Sequence, residues 1–338
     1  MDKRIAIVIL NYNGAGMLRQ FLPSVISSSP EAEIYVADNG STDDSAQVMR
    51  DHFPETKYLQ FDKNYGFADG YNRALEMVEA EYYLLLNSDV EVTAGWLAPM
   101  LAYMDKNPDV AACQPKLLSY KEKEYFEYAG AAGGFMDKYG YPFCRGRIFD
   151  TVEKDNGQYD TIAELFWATG AALMIRSQEY RAAGGLDGTF FAHMEEIDLC
   201  WRLRARGRRI VCIPQSTAYH VGGATLNKSN PRKTFLNFRN NLIMLYKNMP
   251  ESRLRSTMFV RAILDYVAAA KFLLGGATGD FKAVLQARRE YRKTKKNYAE
   301  ARAENMAKTV CNDIKEHAPY SILWKYHAKG KHRFSELP

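Results

Sequence analysis

Polar side chains directly follow several apolar runs in the first third of the chain. Such runs are typical of strands buried on both faces of a parallel sheet, and ligands bind where parallel strands end. Each polar segment alone is equally typical of a turn or a helix cap. Taken together, they predict one polar, acidic pocket, built from Asn11-Tyr12-Asn13-Gly14, Asp38-Asn39-Gly40-Ser41, Asn64-Tyr65-Gly66-Phe67 and Asn87-Ser88-Asp89.

The predicted pocket lacks the glycine patterns that hold phosphates in other nucleotide-binding folds. The segment Gly14-Ala15-Gly16-Met17-Leu18-Arg19 has no third glycine of a dinucleotide fingerprint, and the sequence contains no Walker P-loop. A hard divalent cation is the alternative, because it takes oxygen ligands and a diphosphate supplies several of them. Asp89 offers a carboxylate, and His220, beside Gly222-Gly223, offers a nitrogen, although a lone histidine is more often structural.

A second acidic cluster, Glu195-Glu196-Ile197-Asp198, stands at the start of a predicted helix. Carboxylates there are often simple caps, because the helix dipole and the free amides favour negative charge. Three carboxylates within four residues also repel one another, and this crowding can raise one pKa toward neutral pH. The cluster is therefore a candidate for a general base.

Strands and helices alternate through residues 4–118, which predicts an α/β fold with a mostly parallel sheet covered by helices on both faces. Residues 120–170 are rich in Tyr, Gly and charge and are interpreted as inserted loops on the acceptor side. Strand and helix signals return after residue 170 and include a predicted strand over Ile210–Ile213. From Pro250 onward the pattern is helical, so we expect one domain over residues 1–249 and a basic helical C-terminal extension over residues 250–338.

The charge of the chain is unevenly distributed. Residues 251–338 hold 18 Lys/Arg and 9 Asp/Glu, a local charge of +9 within a total of +5. The dense strip Arg288–Lys296 is either a solvated helical face or a contact for an anionic membrane surface. Phe259–Gly279 suits a helix lying on a surface, since charges interrupt it. Five cysteines without metal-site spacing and the lack of a signal-peptide pattern predict a cytoplasmic location, with peripheral contact on the inner face of the cytoplasmic membrane.

The ordered motifs over residues 4–250 resemble the family 2 glycosyltransferases with the GT-A (Rossmann-like) fold, in particular their bacterial rhamnosyltransferase-like branch. A single motif of this kind occurs easily by chance, whereas the ordered set is specific. The motifs are Val8–Asn13, Val36–Asp43, Asn64–Ala68 with Asn72, Leu84–Asp89, Gly184–Asp187, Phe190 through Arg204, and His220 with Gly222-Gly223.

The resemblance implies a role for each polar position. Asp38 would bind the imide of a uracil or thymine base, and Asp89 would be the main ligand of Mg²⁺ or Mn²⁺, with His220 completing that site. Glu196 falls at the position of the general base, with Glu195 as the alternative. The nucleotide-binding set implied by the family is Asn11, Tyr12, Asn13, Asp38, Asn64, Gly66, Phe67, Asn72, Asn87 and Ser88.

The chain departs from the family pattern at two positions. Asn87 replaces the first aspartate of the DxD motif, which removes one charge from the metal site. Glu196 replaces an aspartate at the base position and is one methylene longer, and a displacement of about an ångström can cost on the order of a hundredfold in rate. We therefore expect Asp89 to depend on His220, and the choice between Glu195 and Glu196 stays open.

The predicted function is inverting transfer of a sugar from a UDP- or dTDP-sugar to a hydroxyl of a glycan or lipid-linked acceptor in cell-envelope polysaccharide synthesis. Trp167 is a candidate for stacking on an acceptor sugar, or else a core residue. Two alternatives are a non-catalytic nucleotide-sugar or glycan-binding scaffold subunit and a sugar-phosphate nucleotidyltransferase. The second would need a Gly-rich basic loop where Asn11-Tyr12-Asn13 stands. Nothing indicates a nucleic-acid partner.

Overall fold

The structure is a computed structural model that describes residues 3–222 and 230–338. Strands and helices alternate up to β6, and helices dominate after β13. The strands are β1 Ile5–Asn11, β2 Ala32–Asp38, β3 Lys57–Gln60, β4 Tyr82–Asn87, β5 Val90–Val92, β6 Val110–Ser119, β7 Gly134–Met136, β8 Pro142–Cys144, β9 Arg147–Ile148, β10 Thr151–Val152, β11 Ala163–Glu164, β12 Ala172–Arg176 and β13 Arg209–His220. The helices are α1 Ala15–Ser28, α2 Ser45–His52, α3 Gly66–Glu76, α4 Leu97–Lys106, α5 Ser177–Ala183, α6 Glu195–Ala205, α7 Pro231–Asn248, α8 Glu251–Leu274, α9 Thr278–Thr294, α10 Ala299–Lys308 and α11 Ile322–Lys329.

The main sheet of the described residues has nine strands in the order β11-β13-β6-β12-β4-β1-β2-β3, with β5 paired to β13. Strands β3, β2, β1 and β4 pair in parallel, and β6 pairs in parallel with β13. Strand β12 runs antiparallel between β4 and β6. This arrangement confirms the predicted α/β class with a mostly parallel sheet.

The continuous apolar runs divide their side chains between two cores. In β1, Ile5, Ile7 and Ile9 face one core, while Ala6 and Val8 face the other. This alternation is the reason that such a strand contains no polar position, because both sheet faces are covered. Four of the five cysteines are buried, as expected for structural thiols.

Residues 120–170 differ from the predicted loops. They contain a second, four-stranded antiparallel sheet in the order β10-β9-β8-β7, whose strands of two or three residues are too short for a periodic signal. Strand β13 is also longer than the predicted Ile210–Ile213. It continues through an irregularity between Ile213 and Thr217 and reaches His220, which pairs with Val90 of β5.

The C-terminal residues form α8 to α11, as the helical pattern predicted. Helix α9 packs against both α7 and α8, and Leu254 and Tyr291 join the same hydrophobic core as the sheet. The boundary at residue 249 stays a prediction. No helix in the described part of the chain has the length and apolar character needed to cross a membrane.

Candidate active site

The predicted strand ends meet at one edge of the sheet. Asn11 at the end of β1 lies in register with Asp38 at the end of β2, and Leu10 lies in register with Asn87 at the end of β4. The backbone N–H of Asn39 also donates to the Asn11 carbonyl at 2.8 Å. The first two polar segments and the Asn87 segment are therefore neighbours in space.

Asn11 and Asp38 form the floor of this edge, and both are buried. The Asn11 amide nitrogen lies 3.3 Å from Asp38 Oδ1 and 3.0 Å from Ser45 Oγ. Asp38 also accepts hydrogen bonds from the Ser41 hydroxyl and from the Tyr58 hydroxyl. Each Asp38 oxygen thus has a partner within the protein, Oδ2 keeps capacity to accept a second hydrogen bond, and contact with a base stays a prediction.

The third strand end is held to the second by side-chain amides. The Asn39 amide nitrogen donates to Asn64 Oδ1 at 3.2 Å and to the Gly66 carbonyl at 2.9 Å, and Asn64 Oδ1 accepts from Gly66 N–H at 2.7 Å. Gly66 has φ +82°, and a Cβ there would lie 2.7 Å from the Phe191 carbonyl oxygen. Glycine is needed because the backbone of the loop before α6 approaches so closely.

Asp89 and His220 are brought together by strand pairing. Because His220 pairs with Val90, its side chain emerges beside Asp89, and His220 Nε2 lies 3.1 Å from Asp89 Oδ1. The other ring nitrogen, Nδ1, lies 3.3 Å from Glu127 Oε1. Burial alone would lower the pKa of His220, but the charges of Glu127 and Asp89 outweigh it and raise the pKa to about 10.

The loop that leads into α6 is strained and carries the two candidate bases. Phe191, His193 and Met194 have φ of +65°, +71° and +74°, a region that non-glycine residues rarely adopt. Glu195 is buried and Glu196 is half-buried, and Oε2 of each has no hydrogen-bond partner among the described residues.

Burial is the main cause of the raised pKa of both glutamates. It raises the pKa of Glu196 to about 7, and burial together with the neighbouring Glu196 charge raises the pKa of Glu195 well above its usual value. Asp198 is different, since it is buried against Arg202, Lys247 and Asn248. Its carboxylate is fully engaged in structure and is not free to act as a base.

The turn at Gly170 lies between the strand end that carries Asn87 and the helix start that carries Glu196. The Asn87 N–H donates to the Ala171 carbonyl at 3.0 Å, which fixes the Gly170 turn beside the end of β4. A Cβ at Gly170 would lie 3.2 Å from the Phe67 ring and 3.7 Å from Glu196 Cβ. Glu196 and Phe67 therefore flank the same turn that contacts the strand carrying Asn87.

The sequence matches the family described as Glycosyl transferase family 2 over residues 6–161. It is 23% identical over 239 residues to the N-acetylglucosaminyl-diphospho-decaprenol L-rhamnosyltransferase of Mycobacterium tuberculosis, covering 65% of this chain and 76% of that protein. It is 22% identical over 223 residues to the rhamnosyltransferase WbbL of Escherichia coli, covering 64% of this chain and 83% of that protein. The chain is therefore similar to the family 2 glycosyltransferases, including two rhamnosyltransferases.

The fold of this glycosyltransferase is also found in a solved structure. The mannosyltransferase PcManGT from Pyrobaculum calidifontis, in complex with GDP-Man and Mn²⁺, superimposes with a TM-score of 0.52 over 92% of this chain and 87% of that chain. The identity is 14%, so this likeness concerns the fold alone. It agrees with the GT-A fold that the motifs implied.

The Asp89–His220 pair fits a divalent cation once His220 has released the proton that its raised pKa favours, because a metal-binding imidazole must be neutral. An Oδ1 to Nε2 distance of 3.1 Å is that expected for adjacent ligands with metal bonds of about 2.1 Å. Glu127 on the opposite ring nitrogen is the usual outer partner that orients a metal-binding histidine. The Asn87 amide lies 3.3 Å from His220 Nε2, so its neutral side chain borders the same place. Gly223, the second glycine of the predicted pair, lies outside the described residues.

Two of the predicted site residues of this glycosyltransferase have structural roles. The Asn72 amide nitrogen donates to the Leu186 carbonyl, and its oxygen accepts from the Leu186 N–H and the Tyr180 hydroxyl. Asn72 therefore holds the turn before α6, and its contact with a ribose or diphosphate stays a prediction. Trp167 is only 3% exposed, and its indole N–H donates to the Phe135 carbonyl at 3.0 Å. The expected acceptor stacking by Trp167 is therefore wrong in this structure, because neither ring face is open.

The remaining predicted nucleotide-binding residues lie at the edge of the pocket. Tyr12 is exposed, while Ser88 is half-buried. The Asn13 N–H donates to Ser41 Oγ at 2.9 Å, and Asn13 Oδ1 accepts from Thr42 N–H at 2.8 Å. These contacts tie the first loop to the second and leave the Tyr12 ring free to meet a ligand.

Two further residues of the site, Glu127 and Asn240, are not among the residues predicted from sequence. Glu127 is buried and is the one acidic residue in the largely apolar run Phe126–Gly134. Its place in that run is the sequence feature that indicates it. The Asn240 amide nitrogen donates to the carbonyls of Phe190, Ala192 and His193 at 3.0, 2.8 and 2.8 Å. Asn240 thereby holds the strained loop, although its position in the middle of α7 gives no hint of this.

Proposed function

We propose that the chain transfers a sugar, with inversion at the anomeric carbon, from a UDP- or dTDP-sugar to a hydroxyl of a glycan or lipid-linked acceptor. The observation that carries the proposal is that both centres border the Gly170 turn. Ala171 accepts from Asn87, which borders the Asp89–His220 pair, and Gly170 lies beside the half-buried Glu196. One centre suits a diphosphate leaving group and the other suits an acceptor hydroxyl. Both rhamnosyltransferase names support sugar transfer, and the N-acetylglucosaminyl-diphospho-decaprenol in the mycobacterial name supports a lipid-linked acceptor.

Glu196 is the better candidate for the base. A base needs a pKa near the working pH, so that its ionised form is present and still takes a proton. The pKa of Glu196 is raised to about 7, whereas that of Glu195 is raised well above its usual value. At pH 7 a large fraction of Glu196 is ionised, whereas burial and the neighbouring Glu196 charge disfavour the ionised form of Glu195.

In the proposed reaction, the Glu196 carboxylate takes the proton of the acceptor hydroxyl as the acceptor oxygen bonds to the anomeric carbon. The bond from that carbon to the diphosphate oxygen breaks at the same time, and the electron pair leaves with the nucleoside diphosphate. Asp89 and His220 would hold Mg²⁺ or Mn²⁺, which when bound offsets the negative charge that develops on the leaving diphosphate. The Mn²⁺ in the mannosyltransferase neighbour supports this cofactor.

The experiment compares Glu196→Gln and Asp89→Ala with the wild-type protein after a screen of sugar nucleotides has found the donor. Sugar transfer and release of nucleoside diphosphate are both measured, because release without transfer separates donor hydrolysis from acceptor activation. Glu196→Gln should lose on the order of 10²–10⁴-fold in transfer, the usual contribution of a general base. Glu300→Gln, at an exposed position on α10, is the matched control. Wild-type rates in both variants would overturn the assignment.

A further inference from the structure

The outer face of α8 carries a continuous stripe of large apolar side chains. Phe259, Val267 and Leu274 are 69%, 61% and 90% exposed, and the stripe covers an arc of about 120° on a helix with 3.6 residues per turn. Exposed patches of this kind are uncommon on proteins that meet only water. We name as the apolar stripe the residues Phe259, Ile263, Tyr266, Val267, Leu273 and Leu274.

The inner face of the same helix is polar and prevents the stripe from turning inward. The buried Arg261 guanidinium donates to the Tyr139 carbonyl at 3.1 Å and to the Asn241 side chain. Asp265 is buried between Arg261, at 3.3 Å, and Arg288. A rotation of α8 that buried the apolar stripe would pull Arg261 and Asp265 away from their buried partners. Separating buried charges in this way is costly. The ion-pair network therefore fixes the stripe outward.

Helix α9 places positive charge beside the stripe. Arg288 belongs to the strip Arg288–Lys296, which was predicted to lie on the surface. It is instead buried against Asp265. The exposed face of α9 is formed by other positions, and Arg292 Nη2 lies 3.2 Å from the hydroxyl of Tyr266 in the stripe. We name as the basic row the exposed residues Lys282, Arg289, Arg292 and Lys293 on one face of α9, together with exposed Lys296 in the helical turn that follows α9.

We propose that the apolar stripe and the basic row together dock the enzyme on an anionic lipid bilayer. An apolar helical face beside Lys and Arg is the pattern of a helix that lies in a membrane interface, where apolar side chains enter the acyl boundary and cations meet lipid phosphates. A second copy of the chain suits this surface less well, because a two-fold contact would bring two basic rows together. Docking of this kind goes beyond the transfer reaction and needs no nucleotide or acceptor.

The test measures binding of the full chain to vesicles by flotation, without substrates. Phosphatidylcholine vesicles are compared with vesicles that also contain about 30% phosphatidylglycerol, a typical anionic lipid. The variant Val267→Asp lies in the stripe, and Val310→Asp is its control, since Val310 is 78% exposed elsewhere in the C-terminal region. The two variants make the same change of residue and of charge.

We expect wild-type protein and Val310→Asp to float with the anionic vesicles, and Val267→Asp to lose on the order of tenfold or more in binding. Replacing Lys293 and Lys296 with alanine should weaken binding to anionic vesicles and its dependence on salt, relative to the same changes at exposed Lys106 and Lys121. Absence of wild-type binding, or equal losses in Val267→Asp and Val310→Asp, would overturn the proposal. So would a stable dimer that Val267→Asp dissociates, because a second copy would then be the occupant.

Discussion

The two acidic centres of the active site are built in different ways. Asp89 and His220, the metal half, are positioned by the pairing of β5 with β13, and Asp89 and Glu127 both contact the His220 ring. Glu195 and Glu196, the base half, follow a loop in which three non-glycine residues have positive φ. The first half is held by backbone hydrogen bonds of the sheet, and the second depends on side chains.

The base half is also destabilised by strained backbone and by buried oxygens that are unpartnered within the described part of the chain. Backbone strain of this type costs about 1–3 kcal/mol per residue, and buried oxygens of Glu195 and Glu196 have no hydrogen-bond partner in the described residues. Such groups persist only if the surroundings hold them in place. We infer that the metal half tolerates loss of a neighbouring side chain better than the base half does.

Loss of Asn240 should have the largest effect. Asn240→Leu preserves the approximate size but removes the donor to the carbonyls of Phe190, Ala192 and His193, so the loop can relax and displace Glu196. We expect kcat to fall about a hundredfold, the scale of an ångström misplacement, with a smaller change in donor KM. Steady-state kinetics measure this.

The control for Asn240 lies on the same helix. Asn237 donates only within α7, to the Lys233 carbonyl at 3.0 Å, so Asn237→Leu should stay within a few-fold of wild-type kcat. A thermal melt of each variant verifies that it is folded. A folded Asn240→Leu enzyme with unchanged kcat would mean that the loop keeps its geometry without Asn240.

A change at Glu127 should affect the metal half to a smaller extent. Glu127→Gln keeps the size of the side chain but removes the charge 3.3 Å from His220 Nδ1. Loss of such an outer partner typically weakens metal affinity by about 10–100-fold. Calorimetric titration with Mn²⁺ measures the change, and Glu124→Gln, at an exposed acid paired with Lys154, is the control. Equal Mn²⁺ affinity in both variants would exclude Glu127 from the site.

The difference between positions held by strand pairing and positions held by side chains also decides what could be predicted from sequence. Strand ends follow from local apolar runs and the rule for parallel sheets, so the neighbourhood of Asn11, Asp38 and Asn87 was predictable. His220 was a candidate because of its place beside Gly222-Gly223, and the family resemblance then implied its role at the metal, although the predicted strand ended at Ile213. The irregularity in β13 that extends it to His220 leaves no periodic signal.

Side-chain partners that are distant in sequence could not be predicted. Asn72 was assigned to the nucleotide because it belongs to a motif, but its amide is used by Leu186, which is 114 positions away. Trp167 was assigned to a sugar because exposed and buried tryptophans look alike in sequence. Asn240 and Glu127 act on His193 and His220 across the fold, and only the assembled structure brings each pair together.

The pH dependence of transfer tests the assignment within the base half. With the pKa of Glu196 raised to about 7, its carboxylate takes up a proton as pH falls, and kcat/KM should be about tenfold lower at pH 6 than at pH 8. Glu195→Gln should keep this profile and a rate within a few-fold of wild type, because Glu196 and not Glu195 is the proposed base. If Glu195→Gln abolishes transfer and Glu196→Gln does not, the roles are reversed.

The smallest expected effect concerns stability and has the opposite sign from the effect on rate. Because the folded-state pKa of Glu196 is about 7, above the ordinary glutamate value of 4.5, the folded state binds more protons than the unfolded state between these values. Wild-type stability therefore falls as pH rises through this window. Glu196→Gln has no charge to bury, so at pH 8 its free energy of unfolding should exceed that of wild type by about 1–2 kcal/mol.

Chemical denaturation at pH 5 and pH 8 measures this difference, with Glu300→Gln as the exposed control. The gain in Glu196→Gln should shrink toward pH 5, where wild-type Glu196 is protonated and resembles the amide. An inactive Glu196→Gln enzyme that is also more stable at pH 8 would indicate that the ionised Glu196 carboxylate is needed for transfer and lowers the stability of the fold. A variant that is less stable at both pH values would mean instead that the Glu196 carboxylate stabilises the fold, and the contrast with the metal half would fail.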